Sequence, residues 1–469
     1  MRAGIFVFLS CICTISTATT AHAQQHDSLQ RQQQPLSLQT VDKTTDSVSQ
    51  SERVFTLRSI HHRGTHEFPS LHVMMEVPQS AGPGSDMNLS REEGPVRRTE
   101  SSSRPFAIKQ RLISVTASKD VDEGVVDSTV DDVVMKAPDV TDKQTVINFA
   151  KMAADAYIWM PGTGEWKDVN ETNLNASLPF GWDSDGIRGH VFADEDNTTV
   201  VIGIKGTSFS RYLDLNFGNP HENKQDMKTT PPNTVPRDLL NDNLLASCCC
   251  GQGGQYFWHQ VCSCASPSAG LPYTCNSSCL ATELSERDRY YGAAIDMYHS
   301  ISLAFPNATD IWLTGHSLGG VVASLLGHTF GLPTLTFEAF PDALAASRLG
   351  LFVPPNQGNF SSSPGTRRTR GSSASPPTYH FGNTADPVFM GSCNAWNSAC
   401  TLGGYAMQSQ CHTGRRCVYD TVSDLGWRVS IENHRILNVI DYVLEQYQKV
   451  PECVVDEECV DCYEWNFVL

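Results

Sequence analysis

Short apolar runs along the chain alternate between the residue spacing of strands and that of helices. Residues 54–60 and 71–75 alternate in part between apolar and polar positions on either side of a His-Arg-Gly turn, which predicts two strands. Short runs rich in β-branched and aromatic residues predict further strands at 200–204, 311–314, 335–337 and 379–381. The run at 200–204 continues into Lys-Gly-Thr-Ser, where the strand is expected to break into a loop.

Four other segments carry apolar residues at helical spacing. Residues 146–157 follow Thr141 and Gln144, which resemble a capping box, and Pro161 ends the run. Further helices are predicted at 286–305, 321–330 and 436–447. Because helices alternate with short apolar strands, the pattern predicts an α/β fold in which helices cover both faces of a mainly parallel sheet.

Polar, low-complexity stretches suggest how the chain is divided. Residues 24–52 are rich in Gln, Ser, Thr and Asp and are expected to form a disordered stalk, and residues 80–105 a long surface loop. The folded domain is predicted over 53–450, with a cysteine-rich insert at 248–279, a low-complexity loop at 361–377 and a cysteine-containing tail at 451–469.

The first 23 residues resemble a secretory leader. An apolar run at 5–15 is followed by small polar residues that close on Ala21-His22-Ala23, which fits a cleavage site. An uncleaved signal-anchor is the rival interpretation, although the apolar part is shorter than the roughly 20 residues that span a bilayer. Either interpretation places the folded domain in the lumen of the secretory pathway.

The cysteine count agrees with an oxidising compartment. Two of the sixteen cysteines lie in the leader, so fourteen remain between Cys248 and Cys462, an even number for which disulfides are expected. Seven N-x-S/T sequons are candidate glycosylation sites in that compartment: Asn88, Asn170, Asn175, Asn197, Asn276, Asn307 and Asn359.

The charge excludes one class of partner. A formal net charge of −17 at neutral pH would repel a nucleic-acid backbone, so nucleic-acid binding is not expected. The same charge gives no long-range attraction to an anionic membrane at neutral pH, and in an acidic lumen the repulsion would be weaker. Lipid remains possible as a substrate.

Gly315-His316-Ser317-Leu318-Gly319 matches G-x-S-x-G, the pattern of a strained turn that lifts a nucleophilic serine above the edge of a sheet. The pattern alone occurs by chance in roughly one chain of this length in seven. Here a predicted strand precedes it, a predicted helix follows it, and Gly320 lets that helix pack closely. Ser317 is therefore the predicted nucleophile.

A serine nucleophile of this type takes its acid and then its histidine from later in the chain. Asp386 follows the predicted strand at 379–381, and His434 precedes the last predicted helix, so these two are the predicted acid and base. Asp420 and Asp424 are rivals for the acid, with loop or cap carboxylates as their ordinary interpretation. Three other histidines are expected to be structural: His316, His380 and His412.

Oxyanion donors are expected beside the nucleophile. The backbone amide of Leu318, directly after Ser317, is one candidate, and the amide of Thr207 at the end of the 200–204 strand is the other. An ordinary strand-terminating turn is the alternative interpretation of Thr207.

The chain resembles the class 3 lipases, and more closely the fungal autophagy-related vacuolar lipases that break down autophagic bodies. The resemblance spans residues 53–447 and rests on VVIGIKGTS from Val200, DIWLTGHSLGG from Asp310, YHFGNTADPV from Tyr379 and SIENHRI from Ser430. The Lys205 variant of the usual Arg-Gly-Thr, the cysteine-rich insert, and CHTGRRCVYDT from Cys411 carry the narrower assignment.

This resemblance implies an α/β-hydrolase fold, a Ser317, Asp386 and His434 triad, and Thr207 and Leu318 as oxyanion donors. It implies hydrolysis of triacylglycerol and phospholipid, including phosphatidylserine, with lipid substrates and membrane vesicles as partners and no cofactor. It also implies a single-pass, type II protein of the endosome and multivesicular body that reaches the vacuole lumen and lyses autophagic bodies and multivesicular-body vesicles there. The short leader departs from this pattern, so a cleaved soluble form stays open.

Other functions remain compatible with these residues. The alternatives are a secreted non-lipid esterase, a serine peptidase and a non-catalytic disulfide-bonded binding glycoprotein. The cysteines at 248–279 could suggest zinc, but adjacent cysteines on an oxidising route favour disulfides, and no metal is predicted. Our hypothesis is that this cluster staples a lid or flank near the active site. Cys459 and Cys462 are likewise interpreted as structural.

Overall fold

A computed structural model describes residues 51–66, 69, 71–77, 106–117, 131–158, 185–208, 235–266, 273–351, 377–456 and 458–469. The predicted leader, almost all of the stalk, the loop at 80–105 and all but the last residue of the low-complexity loop lie outside these residues. So do the sequons at Asn88, Asn170, Asn175 and Asn359. Strand β1 begins at Ser51, inside the segment expected to be a stalk.

The described strands form one large sheet and one small sheet. In chain order they are β1 (Ser51–Arg63), β2 (His72–Glu76), β3 (Phe106–Ala117), β4 (Asp131–Pro138), β5 (Ile187–Ala193), β6 (Thr199–Ile204), β7 (Ala265–Ser266), β8 (Tyr273–Asn276), β9 (Asp310–His316), β10 (Thr334–Phe337), β11 (Thr378–Asn383), β12 (Arg415–Tyr419), β13 (Cys453–Val454) and β14 (Trp465–Val468). The large sheet has the order β13-β12-β11-β10-β9-β6-β5-β1-β3-β4, with β2 beside β1.

The centre of the large sheet is parallel and its flanks are antiparallel. Strands β12, β11, β10, β9 and β6 pair in parallel, so their carboxyl ends meet at one edge. Strands β5, β1, β3 and β4 continue the sheet antiparallel on one side, and β13 does so on the other. The predicted α/β fold class is confirmed, as a mixed sheet with a parallel centre.

The described helices lie between these strands. They are α1 (Lys143–Asp155), α2 (Val235–Ala246), α3 (Ser277–Ser285), α4 (Tyr290–Ala304), α5 (Leu318–Phe330), α6 (Ala343–Arg348), α7 (Ala399–Leu402), α8 (Thr421–Leu425) and α9 (Ile436–Val439); α9 follows a 3-10 turn (Ile431–His434) and continues as a π turn (Ile440–Leu444). The helix predicted at 286–305 is shorter, because residues 286–289 form the turn between α3 and α4.

The predicted capping box on α1 is wrong. Asp142 is the N-cap residue, and its carboxylate accepts the hydrogen bond of the Thr145 amide. Thr141 instead donates its hydroxyl to Asp139 at 2.7 Å. An ionised cap accepts more strongly than a hydroxyl and also suits the positive end of the helix, which explains the one-residue shift.

Helices cover both faces of the sheet, as predicted. Successive strand residues point to opposite faces, so Leu313 joins the core formed with α4 and α5, while Trp312 joins the core formed with α1 and α9. Both side chains are fully buried. This double cover explains why the central strands are apolar at consecutive positions.

All fourteen cysteines after the leader are paired in disulfides, which confirms that prediction. The pairs are Cys248–Cys462, Cys249–Cys275, Cys250–Cys262, Cys264–Cys279, Cys393–Cys400, Cys411–Cys459 and Cys417–Cys453. Cys459 and Cys462 bond to distant partners and not to each other. The predicted tail is therefore tied into the domain, and its strands β13 and β14 pair with β12 and β8.

Within the described ranges, no helix combines the length and the apolar character that crossing a bilayer requires. Three sequons fall inside these ranges. Asn307 is exposed after α4, Asn197 is half-buried in a turn, and the Asn276 side chain caps α3 by accepting from the Cys279 amide. Their glycosylation stays a prediction.

Candidate active site

Ser317 occupies a strained turn between β9 and α5. Its φ of 55° and ψ of −131° lie in a region that side-chain-bearing residues rarely adopt. The flanking glycines are required by space, because a Cβ on Gly315 would lie 2.4 Å from the Gly319 carbonyl oxygen. A Cβ on Gly320 would lie 2.9 Å from that of Ala339. The turn thus exists because three glycines let β9 and α5 meet closely.

The structure brings Ser317, His434 and Asp386 together. His434 Nε2 lies 2.9 Å from the Ser317 hydroxyl, and its Nδ1 lies 2.7 Å from the Asp386 carboxylate. Asp386 stands in the loop after β11, and His434 ends the 3-10 turn before α9, as their sequence positions predicted. All three side chains are buried. The arrangement can move a proton from the hydroxyl to an imidazole held in one orientation.

The surroundings of Asp386 keep its carboxyl charged. Burial by itself would raise the pKa, but the charge and hydrogen bond of His434 and the hydrogen bond from the Val388 amide outweigh it and lower the pKa. The Val388 amide donates to the second carboxylate oxygen at 2.8 Å. An ionised carboxylate is the form that orients a donating imidazole Nδ1–H.

The rival residues have structural partners. Asp420 caps α8 by accepting from the Ser423 amide, and Asp424 accepts the Tyr447 hydroxyl at 3.0 Å. His380 lies against the hydroxyls of Thr336 and Thr413, at 2.8 and 3.2 Å, and His412 donates to the Phe389 carbonyl at 2.9 Å. Neither histidine contacts Ser317.

His316 has a role that sequence reasoning missed. Its Nδ1 lies 2.7 Å from the Tyr157 hydroxyl, and its Nε2 lies 2.7 Å from the His434 carbonyl oxygen. Burial lowers the pKa of His316 to about 3, so the ring is neutral and can donate a hydrogen bond from only one of its two nitrogens. With Nε2 as that donor, it anchors the backbone of His434. The partners come from the turn after α1 and from the 3-10 turn, which sequence spacing does not connect.

The loop that carries Thr207 packs directly against the start of α5. A Cβ on Gly319 would lie 2.2 Å from the Ile204 carbonyl oxygen, and one on Gly206 would lie 2.3 Å from that of His316. The first amides of a helix have no partner inside the helix, so the Leu318 amide is available for a ligand. The Thr207 amide has no hydrogen-bond partner within the described part of the chain. Both predicted donors therefore border Ser317.

Helix α2 braces this loop with two buried carboxyls that the sequence did not single out. Asp242 accepts the Thr207 hydroxyl at 2.8 Å, and Asp238 accepts the Ser208 amide at 2.7 Å. Burial raises the pKa of Asp242 well above its usual value. The Lys205 ammonium lies 3.7 Å from Asp238 and donates to the Gly206 carbonyl at 2.9 Å. Because the Thr207 hydroxyl is engaged, the backbone amide is the donor that remains.

A cavity of about 240 Å³ opens at Ser317. Thr207 and His434 also line it, together with the acidic side chains of Asp242 and Glu432 and the cation Arg435. The remaining lining residues are Tyr157, Val388, Ala399, Cys400, Tyr405, Met407 and Ile431. The wall beside the nucleophile is thus largely apolar, and the charges lie at a few positions.

Gly319→Ala is expected to disrupt the site. Its methyl group would have to displace the backbone of the Thr207 loop, so we expect loss of at least about 2 kcal/mol of stability and of most activity. Gly331→Ala at the other end of α5 is the matched control, because nothing lies within 4 Å of the new Cβ. Its φ of +71° should cost this variant about 1 kcal/mol of stability through backbone strain but leave ester hydrolysis unchanged. Thermal denaturation and ester hydrolysis would be measured. Equal behaviour of the two variants would contradict the crowding argument.

The chain has sequence relatives among fungal proteins. No family model matches the chain. The chain is 44% identical over 432 residues to "Putative lipase ATG15" of Passalora fulva, an alignment covering 89% of this chain and 60% of that protein. It is 43% identical over 432 residues to "Putative lipase atg15" of Penicillium rubens, covering 88% and 59%.

Solved structures of fungal lipases resemble this chain more weakly in sequence and in fold. Lip2 lipase of Yarrowia lipolytica is 12% identical with a TM-score of 0.28, covering 66% of this chain and 83% of that one. Lipase II of Rhizopus niveus is 13% identical with a TM-score of 0.27, covering 62% and 92%. The sequence relatives are longer, since the chain spans about 60% of their length. Over most of its own length, this chain is thus 43 to 44% identical to two fungal proteins named as putative lipase ATG15.

Proposed function

We propose that this chain is a serine hydrolase that cleaves lipid esters, with Ser317 as nucleophile, His434 as general base and Asp386 as the residue that orients it. The continuous contact of 2.9 Å and 2.7 Å from serine to imidazole to carboxylate carries the proposal. Homology to proteins named as lipases supports it.

In the proposed reaction, the Ser317 oxygen attacks the carbonyl carbon of the ester while its proton passes to His434 Nε2. The amides of Thr207 and Leu318 stabilise the negative charge on the former carbonyl oxygen. The tetrahedral intermediate collapses, and the alcohol leaves with the proton from His434. Water, deprotonated by His434, then attacks the acyl-enzyme and releases the fatty acid and free Ser317.

The surroundings of the site favour a lipid over a soluble ester. The cavity wall is largely apolar, and large apolar side chains are exposed beside its lining segments: Trp396 is 70% exposed, Leu402 54% and Val429 58%. Exposed apolar groups rimming a site are typical of surfaces that contact lipid or protein. Triacylglycerol and phospholipid, including phosphatidylserine, are the substrates we propose.

Fatty-acid release from phospholipid vesicles, triacylglycerol emulsions and a soluble short-chain ester would test the substrate class. Activity that rises sharply once lipid forms an interface supports a lipase. Hydrolysis of the soluble ester alone would point to a non-lipid esterase. If the protein hydrolyses none of these substrates and a fluorophosphonate does not label Ser317, the result would support the alternative of a non-catalytic binding glycoprotein.

We further propose that the protein works in an acidic lumen, on autophagic bodies and multivesicular-body vesicles in the vacuole. The seven disulfides fit the oxidising route that such delivery requires. Fractionation of cells expressing the full chain, with glycosidase digestion and alkaline carbonate extraction, would test the route and separate an anchored from a cleaved form. A pH profile without activity below about pH 6 would contradict a vacuolar working site.

The disulfide Cys393–Cys400 is expected to support substrate binding. It closes a short loop whose Ala399 and Cys400 line the cavity. The cysteine-rich insert flanks the same segment, since Trp258 donates to the Thr401 hydroxyl at 3.1 Å and the His259 amide to the Gly404 carbonyl at 2.9 Å. Replacing both cysteines by serine should cost about 2 kcal/mol and lower kcat/KM several-fold.

The matched control is the Cys417→Ser, Cys453→Ser double variant, which opens a bond between β12 and β13 outside the cavity lining. We expect it to lower the melting temperature but to leave kcat/KM near wild type. Unchanged kinetics in the Cys393, Cys400 variant with its bond demonstrably absent would remove this role.

A further inference from the structure

Glu338 stands in an unusual position directly after β10. It is fully buried, and its φ of 45° is one of few positive values at non-glycine residues in the described chain. Its amide donates to the Phe381 carbonyl at 2.8 Å, which holds the backbone against β11. A positive φ at such a residue is strained and persists only where the surroundings enforce it. Such strain is a reason to look for a function.

The Glu338 side chain points at the acid of the triad. Asn383 donates to both of its oxygens, from Nδ2 at 2.8 Å and from the backbone amide at 3.3 Å. The carboxyl of Glu338 is in turn hydrogen-bonded to the carboxyl of Asp386. Two carboxyl groups can form a hydrogen bond only when one of them carries a proton.

The partners of the pair decide where that proton lies. Asp386 receives hydrogen bonds from His434 and from the Val388 amide, which favour its ionised form. Glu338 has no cation against it among the described residues, and burial together with the charge of Asp386 raises its pKa well above the usual value. The other titratable groups that face the pair are Tyr419 on β12 and the neutral ring of His316. Glu338 is thus the protonated partner.

We propose that Glu338 is a positioning residue for this hydrolase: as a neutral carboxylic acid it donates a hydrogen bond to Asp386 and fixes that carboxylate toward His434. The inference rests on the proposed function. Three donors then hold the two oxygens of Asp386, namely His434, the Val388 amide and Glu338. A carboxylate with only two donors would be free to turn, and the imidazole with it.

Glu338→Gln and Glu338→Ala separate this role from a merely structural one. A glutamine amide can donate to Asp386 and accept one of the two hydrogen bonds from Asn383. Because the donor to Asp386 is kept, Glu338→Gln should keep kcat within about threefold of wild type. Alanine removes the donor, so kcat should fall roughly 10- to 100-fold with little change in KM. Glu286→Gln, at an exposed glutamate between α3 and α4, is the matched control and should behave as wild type.

The protonation state has its own signature in stability. The folded protein keeps the Glu338 proton while the unfolded chain releases it above the ordinary value of 4.5, so this group destabilises the fold increasingly as pH rises. Glutamine cannot ionise. The melting temperature of Glu338→Gln relative to wild type should therefore climb from pH 4.5 to pH 8. The infrared difference spectrum of wild type minus Glu338→Gln should show the loss of one buried protonated-carboxyl band, while the band expected from Asp242 stays in both proteins.

These readouts keep the two proposals apart. If wild type hydrolyses no lipid or ester, the proposed function fails, while the melting and infrared measurements still decide whether Glu338 is protonated. The positioning role is overturned if folded Glu338→Gln loses as much kcat as Glu338→Ala, or if the melting difference does not change with pH. An alanine variant that does not fold leaves the glutamine comparison decisive.

Discussion

Ser317→Ala should lower kcat for lipid ester hydrolysis by roughly 10⁵-fold while the protein stays folded. The serine oxygen forms the bond to the acyl group, and its hydroxyl lies 2.9 Å from His434 Nε2. Removing one buried hydroxyl leaves the glycine-built turn intact, so the melting temperature should change little. Fatty-acid release from vesicles and emulsions, with fluorophosphonate labelling, measures the loss.

The matched control is Ser347→Ala on α6. Its hydroxyl has no hydrogen-bond partner in the described part of the chain and lies outside the cavity lining, so this variant should retain wild-type kcat. If Ser317→Ala released fatty acid as fast as wild type, either a contaminating esterase would be responsible or Ser317 would not be the nucleophile. The proposed function would then fall.

Asp386→Asn should lower kcat by about 10⁴-fold with a small change in KM. An amide in place of the carboxylate can offer a donor to His434 Nδ1, which favours the tautomer whose Nε2 cannot accept the serine proton. The substitution is nearly isosteric, so the fold should be kept. Steady-state kinetics at several pH values, together with the rate of fluorophosphonate labelling, would measure the effect.

Asp420→Asn is the matched control and decides between Asp386 and Asp420 as the acid. Asp420 caps α8 and accepts the Thr384 hydroxyl, away from the imidazole. Losing part of its capping strength should lower the melting temperature slightly and leave kcat unchanged. The reverse pattern, an active Asp386→Asn and an inactive Asp420→Asn, would reject the proposed triad.

Local patterns predicted the parts of the site that neighbouring residues build. The strand, the glycine turn and the helix around Ser317 follow one another within about twenty residues. Each has a periodicity or a steric requirement that the amino-acid sequence shows directly. The positions of Asp386 and His434 could be predicted because a strand end precedes one and a helix start follows the other. The parallel centre of the sheet brings such loops to one edge.

Contacts between distant segments could not be read in this way. Glu338 follows a strand as an ordinary acidic residue, and only the pairing of β10 with β11 places it against Asp386. Asp238 and Asp242 lie on a helix about thirty residues after the loop that they brace. Cysteine pairing is similar, because an even count predicts disulfides but many pairings are compatible with it.

The sequence by itself determined the fold class, the candidate nucleophile and the order of the candidate triad, because these depend on periodicity, glycine sterics and chain order. The tertiary structure alone decided which carboxyls and histidines surround that triad, which cysteines pair, and how the tail joins the domain. The physical reason is that burial and hydrogen bonding act through space. Glu338 holds a proton because it lies beside the buried carboxylate of Asp386, and the pairing of β10 with β11 brings these two residues together from distant parts of the chain.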